Sequence, residues 1–91
     1  MAICAAPEVL FQELDGETVL LNLRDERYYG LDDVGTRVWQ LLGEHGDIER
    51  IVSTMLGEYD VEEATLRQDV EKLIAALLEV GLVTEQTGPN G

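Results

Sequence analysis

The chain has 91 residues, of which 45% are apolar, so it is one small domain with a thin core rather than a disordered segment. Its 19 acidic and 6 basic residues give a formal net charge of -13, the wrong sign for covering nucleic-acid phosphates or an anionic membrane. No apolar run approaches the roughly 20 residues that span a bilayer, the opening MAICAAPEVL has no basic signal-peptide stretch, and Cys4 has no disulfide partner, so a cytoplasmic protein is expected.

Residues 1–7 read as an N-terminal tail, residues 8–84 as the domain and residues 85–91 as a flexible C-terminal tail. From 8 to 31 the pattern is that of strands: EVLFQEL, the turn DGE, TVLLNL, the polar turn RDER, then YYGL. Asp15-Gly16 between two β-rich runs is a strong hairpin signal. In the middle strand Val19, Leu21 and Leu23 share one face, while Leu20 and Asn22 share the other. The expected product is a three-stranded antiparallel meander with Arg27 to Leu31 at one edge.

Three helices follow. The first runs from about Asp33 to Gly43, capped by Asp32, with Val34, Val38, Leu41 and Leu42 as its buried stripe. The second runs from Asp47, its cap, to about Glu58 and buries Ile48, Ile51, Val52, Met55 and Leu56. The third is expected to start at Asp60, where Asp60 and Glu63 have capping-box spacing, and to run to about Glu79 before Gly81. Its stripe is Leu66, Val70, Leu73 and Leu77, with Ile74 and Leu78 widening the apolar arc. An arc that wide is either all core or partly the wall of an open groove. The order of elements is α+β: a three-stranded sheet followed by three helices.

Chemistry motifs are sparse. His45 is alone in the loop sequence GEHGD, where an exposed turn residue is the better reading than a base. Cys4 has no basic neighbour to activate it. The sequence has no P-loop and no GxGxxG. The carboxylates of GLDDVG and EYDVEE fall at helix starts, where the helix dipole favours them, and lack calcium-loop spacing. No catalytic residue, metal or cofactor is therefore expected. A winged-helix DNA reader could be built from these elements, but its third helix would carry Glu62, Glu63, Asp69, Glu71 and Glu79 against Arg67 and Lys72. An oligomerising module, its sheet edge paired with a second copy, is a further alternative. Peptide capture fits better. An edge strand with Gly30 permitting close backbone approach offers free N–H and C=O groups, and the apolar third helix offers a second wall.

Two segments, TVLLNLRDERYYGLDDVGTRVWQLL and DVEKLIAALLEVGLV, resemble the PqqD-like family, the stand-alone recognition elements for ribosomally made, modified peptides. The most telling residues are Tyr28-Tyr29-Gly30-Leu31-Asp32, then Gly35, then Trp39, and the closing Gly81-Leu82-Val83. The resemblance implies a winged helix-turn-helix-like fold without enzymatic activity. It implies that the leader of a precursor peptide adds as a strand beside the third strand, against the third helix. Within the family the short separate form is most similar to the leader-binding B proteins of lasso-peptide biosynthesis. Those work with a leader peptidase and a macrolactam synthetase on leaders carrying a Tyr-x-x-Pro element. The PqqD branch itself serves a radical enzyme of quinone-cofactor biosynthesis. Many relatives have Asn where this chain has Asp32, an exchange a helix cap tolerates.

On this reading the backbone of Arg27, Tyr28, Tyr29, Gly30 and Leu31 pairs with the peptide. Leu66, Val70, Leu73 and Leu77 form the apolar wall, Arg67 and Lys72 meet leader carboxylates, and Asp69 meets a basic or hydroxyl group. One of the two tyrosines packs inward and the other faces the peptide or its rim; which does which depends on register.

Overall fold

The computed structural model describes residues 2–86. The chain order is β1 (Ala2–Ala5), β2 (Val9–Leu14), β3 (Glu17–Asn22), β4 (Arg27–Leu31), α1 (Asp33–Glu44), α2 (Ile48–Leu56), α3 (Glu63–Glu79) and β5 (Val83–Gln86). Strands β2, β3 and β4 form the expected antiparallel meander, in that spatial order. Asp15 and Gly16 both have positive φ, 53° and 81°, as a two-residue hairpin turn requires. The second turn is one residue earlier than the sequence suggests, at 23–26. Asn22 then pairs with Arg27, and Arg27 is the first residue of β4.

A second, two-stranded sheet was not anticipated. β1 pairs antiparallel with β5, Ala2 opposite Gln86 and Ala5 opposite Val83. The expected N-terminal tail, 1–7, is thus a strand over Ala2–Ala5, and residues 85 and 86 of the expected C-terminal tail lie in its partner; residues 87–91 lie outside the described residues. The ribbon is held because Ile3 is buried in the core and its N–H donates to the Gly46 carbonyl at 2.9 Å. Gly46 has no room for a side chain: a Cβ there would stand 2.1 Å from the Ile3 carbonyl oxygen. The ribbon therefore lies directly on the loop between α1 and α2.

The three helices cover one face of the meander. Alternation along β3 buries Thr18, Leu20 and Asn22 against them and leaves Val19 and Leu21 on the far side. Two polar groups in that buried row are satisfied. Thr18 Oγ1 donates to Thr36 Oγ1 at 2.9 Å, tying β3 to α1. Asn22 Nδ2 donates to the Val80 carbonyl at 3.2 Å, tying β3 to the end of α3. The common core is built from Leu20, Val38, Trp39, Leu41, Ile51, Val52, Met55, Val70, Ile74 and Leu82, among others. Trp39 is buried, and the ring of Phe11 meets it edge-on with centroids 5.7 Å apart.

Helix boundaries follow local chemistry with one exception. The Asp32 carboxylate accepts the Gly35 N–H at 2.8 Å and caps α1; the Asp47 carboxylate accepts the Glu49 N–H at 3.0 Å and caps α2. The capping box expected at Asp60 does not form. α3 begins at Glu63, Glu62 occupies the cap position without a side-chain hydrogen bond, and the Glu62 carbonyl takes the first helical bond, from the Leu66 N–H at 3.0 Å. The chain leaving α2 stays coiled through Tyr59, whose N–H donates to the Met55 carbonyl at 2.8 Å, so residues 60–62 complete the turn between the helices. α3 stops where Gly81 takes φ 79°, with the Val80 N–H bonded to the Ala76 carbonyl.

Candidate functional site

β4 lies at the edge of the three-stranded sheet, with β3 on one side and no strand on the other among the described residues. Alternate residues of such a strand carry N–H and C=O groups toward the open side. A groove of about 500 Å³ runs beside this edge, lined by Gly30, Leu31, Asp32, Val34, Gly35, Asp69 and Leu73. One wall is the end of β4 and the first turn of α1; the other is one face of α3. Asp69 and Leu73, four residues apart, share that face.

The sequence places this wall there. The Asp32 cap turns the chain sharply from β4 into α1, and Gly35 allows the first turn to lie against the strand it has just left. A Cβ on Gly35 would stand 3.2 Å from the Leu31 Cβ, a tight contact that would oblige the Leu31 side chain to give way. The run from Tyr28 to Asp32, then Gly35, then Trp39, is thus one device: an edge strand, a capped corner, a close approach and a core anchor.

The expected site residues divide in the structure. Gly30, Leu31, Asp69 and Leu73 line the groove, with Leu31 also buried in the core. Leu66, Val70 and Leu77, expected on the apolar wall, are buried at 5% exposure or less and belong to the core with Ile74. The reason is that α3 packs on α2, β5 and α1 as well as facing the groove, so most of its wide apolar arc is covered. Arg67 is engaged away from the groove. Its guanidinium donates to both Glu49 carboxylate oxygens and to Glu63, bridging α3 to α2. The hydrogen bonds Arg67 donates to Glu49 and then to Glu63 hold its pKa above the ordinary value, and the bond Glu49 accepts from Arg67 holds the Glu49 pKa below its own. Lys72 is exposed on α3, and Arg27 is exposed at the start of β4.

The adjacent tyrosines are resolved by register. Tyr29 stands opposite Leu20 on the helix-covered side, half-buried against the core. Tyr28 stands opposite Leu21 on the open side and is 72% exposed. Asp32, Val34 and Gly35, which also line the groove, were not expected in a site. Val34 had been placed in the buried stripe of the first helix; it lies at the leading end of that stripe, half-buried, where the helix overhangs the groove.

The charges along the groove are carboxylates. Asp32 is occupied with the Gly35 N–H, and Asp69 is exposed. Among the described residues, no three His, Cys, Asp or Glu side chains are grouped to hold a metal ion. His45 is half-buried rather than exposed, closing α1 with its N–H on the Leu41 carbonyl at 2.9 Å, and its Nδ1 is enclosed without a hydrogen-bond partner. Among the described residues no helix is long and apolar enough to cross a membrane.

An open sheet edge, a groove with an apolar floor, and a helix as its far wall define a domain able to accept an extended chain by strand addition. The family described as coenzyme PQQ synthesis protein D (PqqD) matches residues 17–83, and the chain belongs to it. Two solved structures are similar over nearly their whole length. One, described as TbiB1 in complex with the TbiA(beta) leader peptide, is 34% identical, with 93% of this chain and 99% of that chain covered and a TM-score of 0.86. The other, described as lasso peptide synthetase B1 complexed with the leader peptide, is 25% identical, with 93% and 100% covered and a TM-score of 0.85. No curated protein sequence matches. The expected winged helix-turn-helix-like α+β architecture, a three-stranded antiparallel sheet with three helices, is the observed one, with the β1–β5 ribbon added.

Proposed function

We propose that this chain binds the leader segment of a ribosomally made precursor peptide, adding it as a fourth strand at β4. The observation that carries the reading is the open β4 edge beside the groove of Gly30, Leu31, Val34, Asp69 and Leu73. The similarity to two proteins whose structures are described with leader peptides supports it. Main-chain bonds from Arg27 to Leu31 supply pairing, and Leu73 with Val34 supplies an apolar seat for alternate side chains of the peptide. Asp69 and Lys72 offer opposite charges on the α3 side, so a leader residue with an amine or hydroxyl suits the first and a carboxylate the second. Arg67, already committed to Glu49 and Glu63, contributes by fixing α3 on α2.

The product class we infer is a lasso peptide, with a Tyr-x-x-Pro element in the leader. In this reading the chain is a binding module in the cytoplasm, not an enzyme, and it hands the precursor to a separate leader peptidase and then a macrolactam synthetase. A second reading, favoured by the PqqD match over residues 17–83, is a peptide chaperone for a radical enzyme of quinone-cofactor biosynthesis.

Calorimetric titration with a synthetic lasso-type leader tests the choice. One-to-one binding is expected, with a loss of at least about 1 kcal/mol when the tyrosine or the proline of the element is replaced by alanine. No binding of that leader, together with binding of a quinone-precursor peptide, would replace the first reading by the second.

A further inference from the structure

The meander has two edges, and β4 is only one of them. β2 has β3 on one side and no strand on the other among the described residues. Along an antiparallel pair, residues that bond each other alternate with residues whose N–H and C=O turn away. Leu14 and Glu17 close the two-residue hairpin turn, so Leu14, Gln12 and Leu10 direct their main-chain groups to β3. The Leu23 N–H on the Glu8 carbonyl, at 2.8 Å, keeps the same alternation. Val9, Phe11 and Glu13 therefore point outward. The Val9 N–H bends back to the Ala6 carbonyl at 3.3 Å, which leaves Phe11 and Glu13 with open donors and acceptors.

This edge lacks the usual protection, since VLFQEL contains no Pro and no Lys. Its side chains are apolar on both faces. Leu10 and Leu14, on the side away from the helices, are 56% and 55% exposed, and Phe11, on the helix side, is 56% exposed. The Phe11 ring borders a pocket of about 300 Å³ whose apolar lining includes Ala5, Trp39 and Leu42. The carboxylate among the lining residues, Glu13, is held by the Gln40 Nε2, which donates to it at 2.7 Å.

We propose that β2 pairs with β2 of a second copy, antiparallel about a two-fold axis at Gln12, joining two meanders into one six-stranded sheet. The registers that align the outward groups are centred on Phe11, Gln12 or Glu13. Centring on Glu13 sets like charges opposite each other, and centring on Phe11 calls on the Val9 N–H that Ala6 already holds. Centring on Gln12 lets Phe11 and Glu13 of the second copy exchange main-chain bonds, and the two-fold repeats the pair. It sets Leu10 against Leu14 of the second copy in the closer, non-bonded kind of pair. It also lays each Phe11 ring at the mouth of the other copy's pocket. The open main-chain groups and the exposed apolar side chains of β2 are thus covered by one self-complementary contact. Both β4 edges stand at the outer ends of the joined sheet, so the pairing leaves them free and does not depend on what they bind.

Charge sets its strength. Each copy carries -13, and Glu8, Asp15 and Glu17 flank the paired strands. An interface of one strand and a few side chains falls in the small, weak class, below about 1,200 Å². The dimer is therefore weak, and it tightens with salt as the mutual repulsion is screened.

Sedimentation equilibrium of the full chain, without leader, tests this. A monomer–dimer equilibrium is expected with a dissociation constant of about 10–100 μM, tightening severalfold from low to high salt. Glu13→Pro removes one outward N–H without touching the β3 ladder, and Phe11→Ala removes the ring; each weakens the dimer at least about tenfold, with circular dichroism as the check on folding. The register is read by oxidation with oxidised glutathione in a Cys4→Ser chain. Gln12→Cys forms a covalent dimer readily, because its pair across the axis stands about 4.5 Å apart at Cα, within disulfide reach. Leu14→Cys alone forms it at least about tenfold more slowly, because its own copy lies four residues along the strand. Saturating synthetic leader leaves the dimer intact. A chain that stays monomeric at about 0.5 mM in high salt, well above that dissociation constant, overturns the proposal. So does a dimer that both edge variants leave unchanged, or one that leader dissociates, which would place self-pairing at β4.

Discussion

The Val70→Asp chain is expected to lose the cooperative unfolding transition of the native protein. Val70 is 1% exposed, enclosed between α3 and the rest of the core. A carboxylate there has no partner, and burying it costs several kcal/mol, by ionisation in an apolar site or by a large upward shift of its pKa. A domain of this size has roughly 5–15 kcal/mol of total stability, and the lost valine packing adds to the penalty. Circular dichroism during heating is the check. A sharp transition near the wild-type temperature would mean that Val70 is not where α3 packs.

Leu73→Asp is expected to do something different with the same chemical change. Leu73 is only half-buried and borders the groove, so its carboxylate keeps access to water and the fold survives. The added charge sits four residues from Asp69, an i,i+4 like-charge pair costing about 0.2–0.5 kcal/mol of helix stability. Its larger effect is on binding. The leader loses its apolar seat and meets two carboxylates, a loss of at least about 1–2 kcal/mol, or roughly 5- to 30-fold in affinity. Titration of synthetic leader against the folded variant measures it. Wild-type affinity would remove α3 from the binding site and leave the groove without its far wall.

The contrast between these two positions shows what was legible in the sequence. Helical periodicity identified α3 and most of its inward side, but after Val70 both Leu73 and Ile74 satisfy the spacing. Packing against α2 and β5 chose Ile74 for the core and left Leu73 at the groove, a decision made by elements remote in sequence. Arg67 was read as a free cation for the same reason: its partner Glu49 is 18 residues away on another helix. The β1–β5 ribbon escaped because AICA is four residues with no turn signal, and its partner strand lies some 80 positions on. By contrast, the meander and its edge were written locally. Asp15-Gly16 fixed the first turn, and strand alternation put Leu20 and Asn22 on one face, though only packing showed that this face is the buried one. Only the second turn was misplaced by one residue, and the roles of Tyr28 and Tyr29 depended on that register.

The account rests on β4 gaining a neighbour. The most direct measurement is amide hydrogen exchange by NMR on the labelled chain, with and without saturating synthetic leader, read residue by residue from Arg27 to Leu31. Free, the edge amides exchange at rates set by local opening; on binding, every second amide of β4 becomes strongly protected, with cross-strand contacts to the leader backbone. Protection confined to β2 or β5, with β4 amides exchanging as before in a leader-saturated sample, would contradict it.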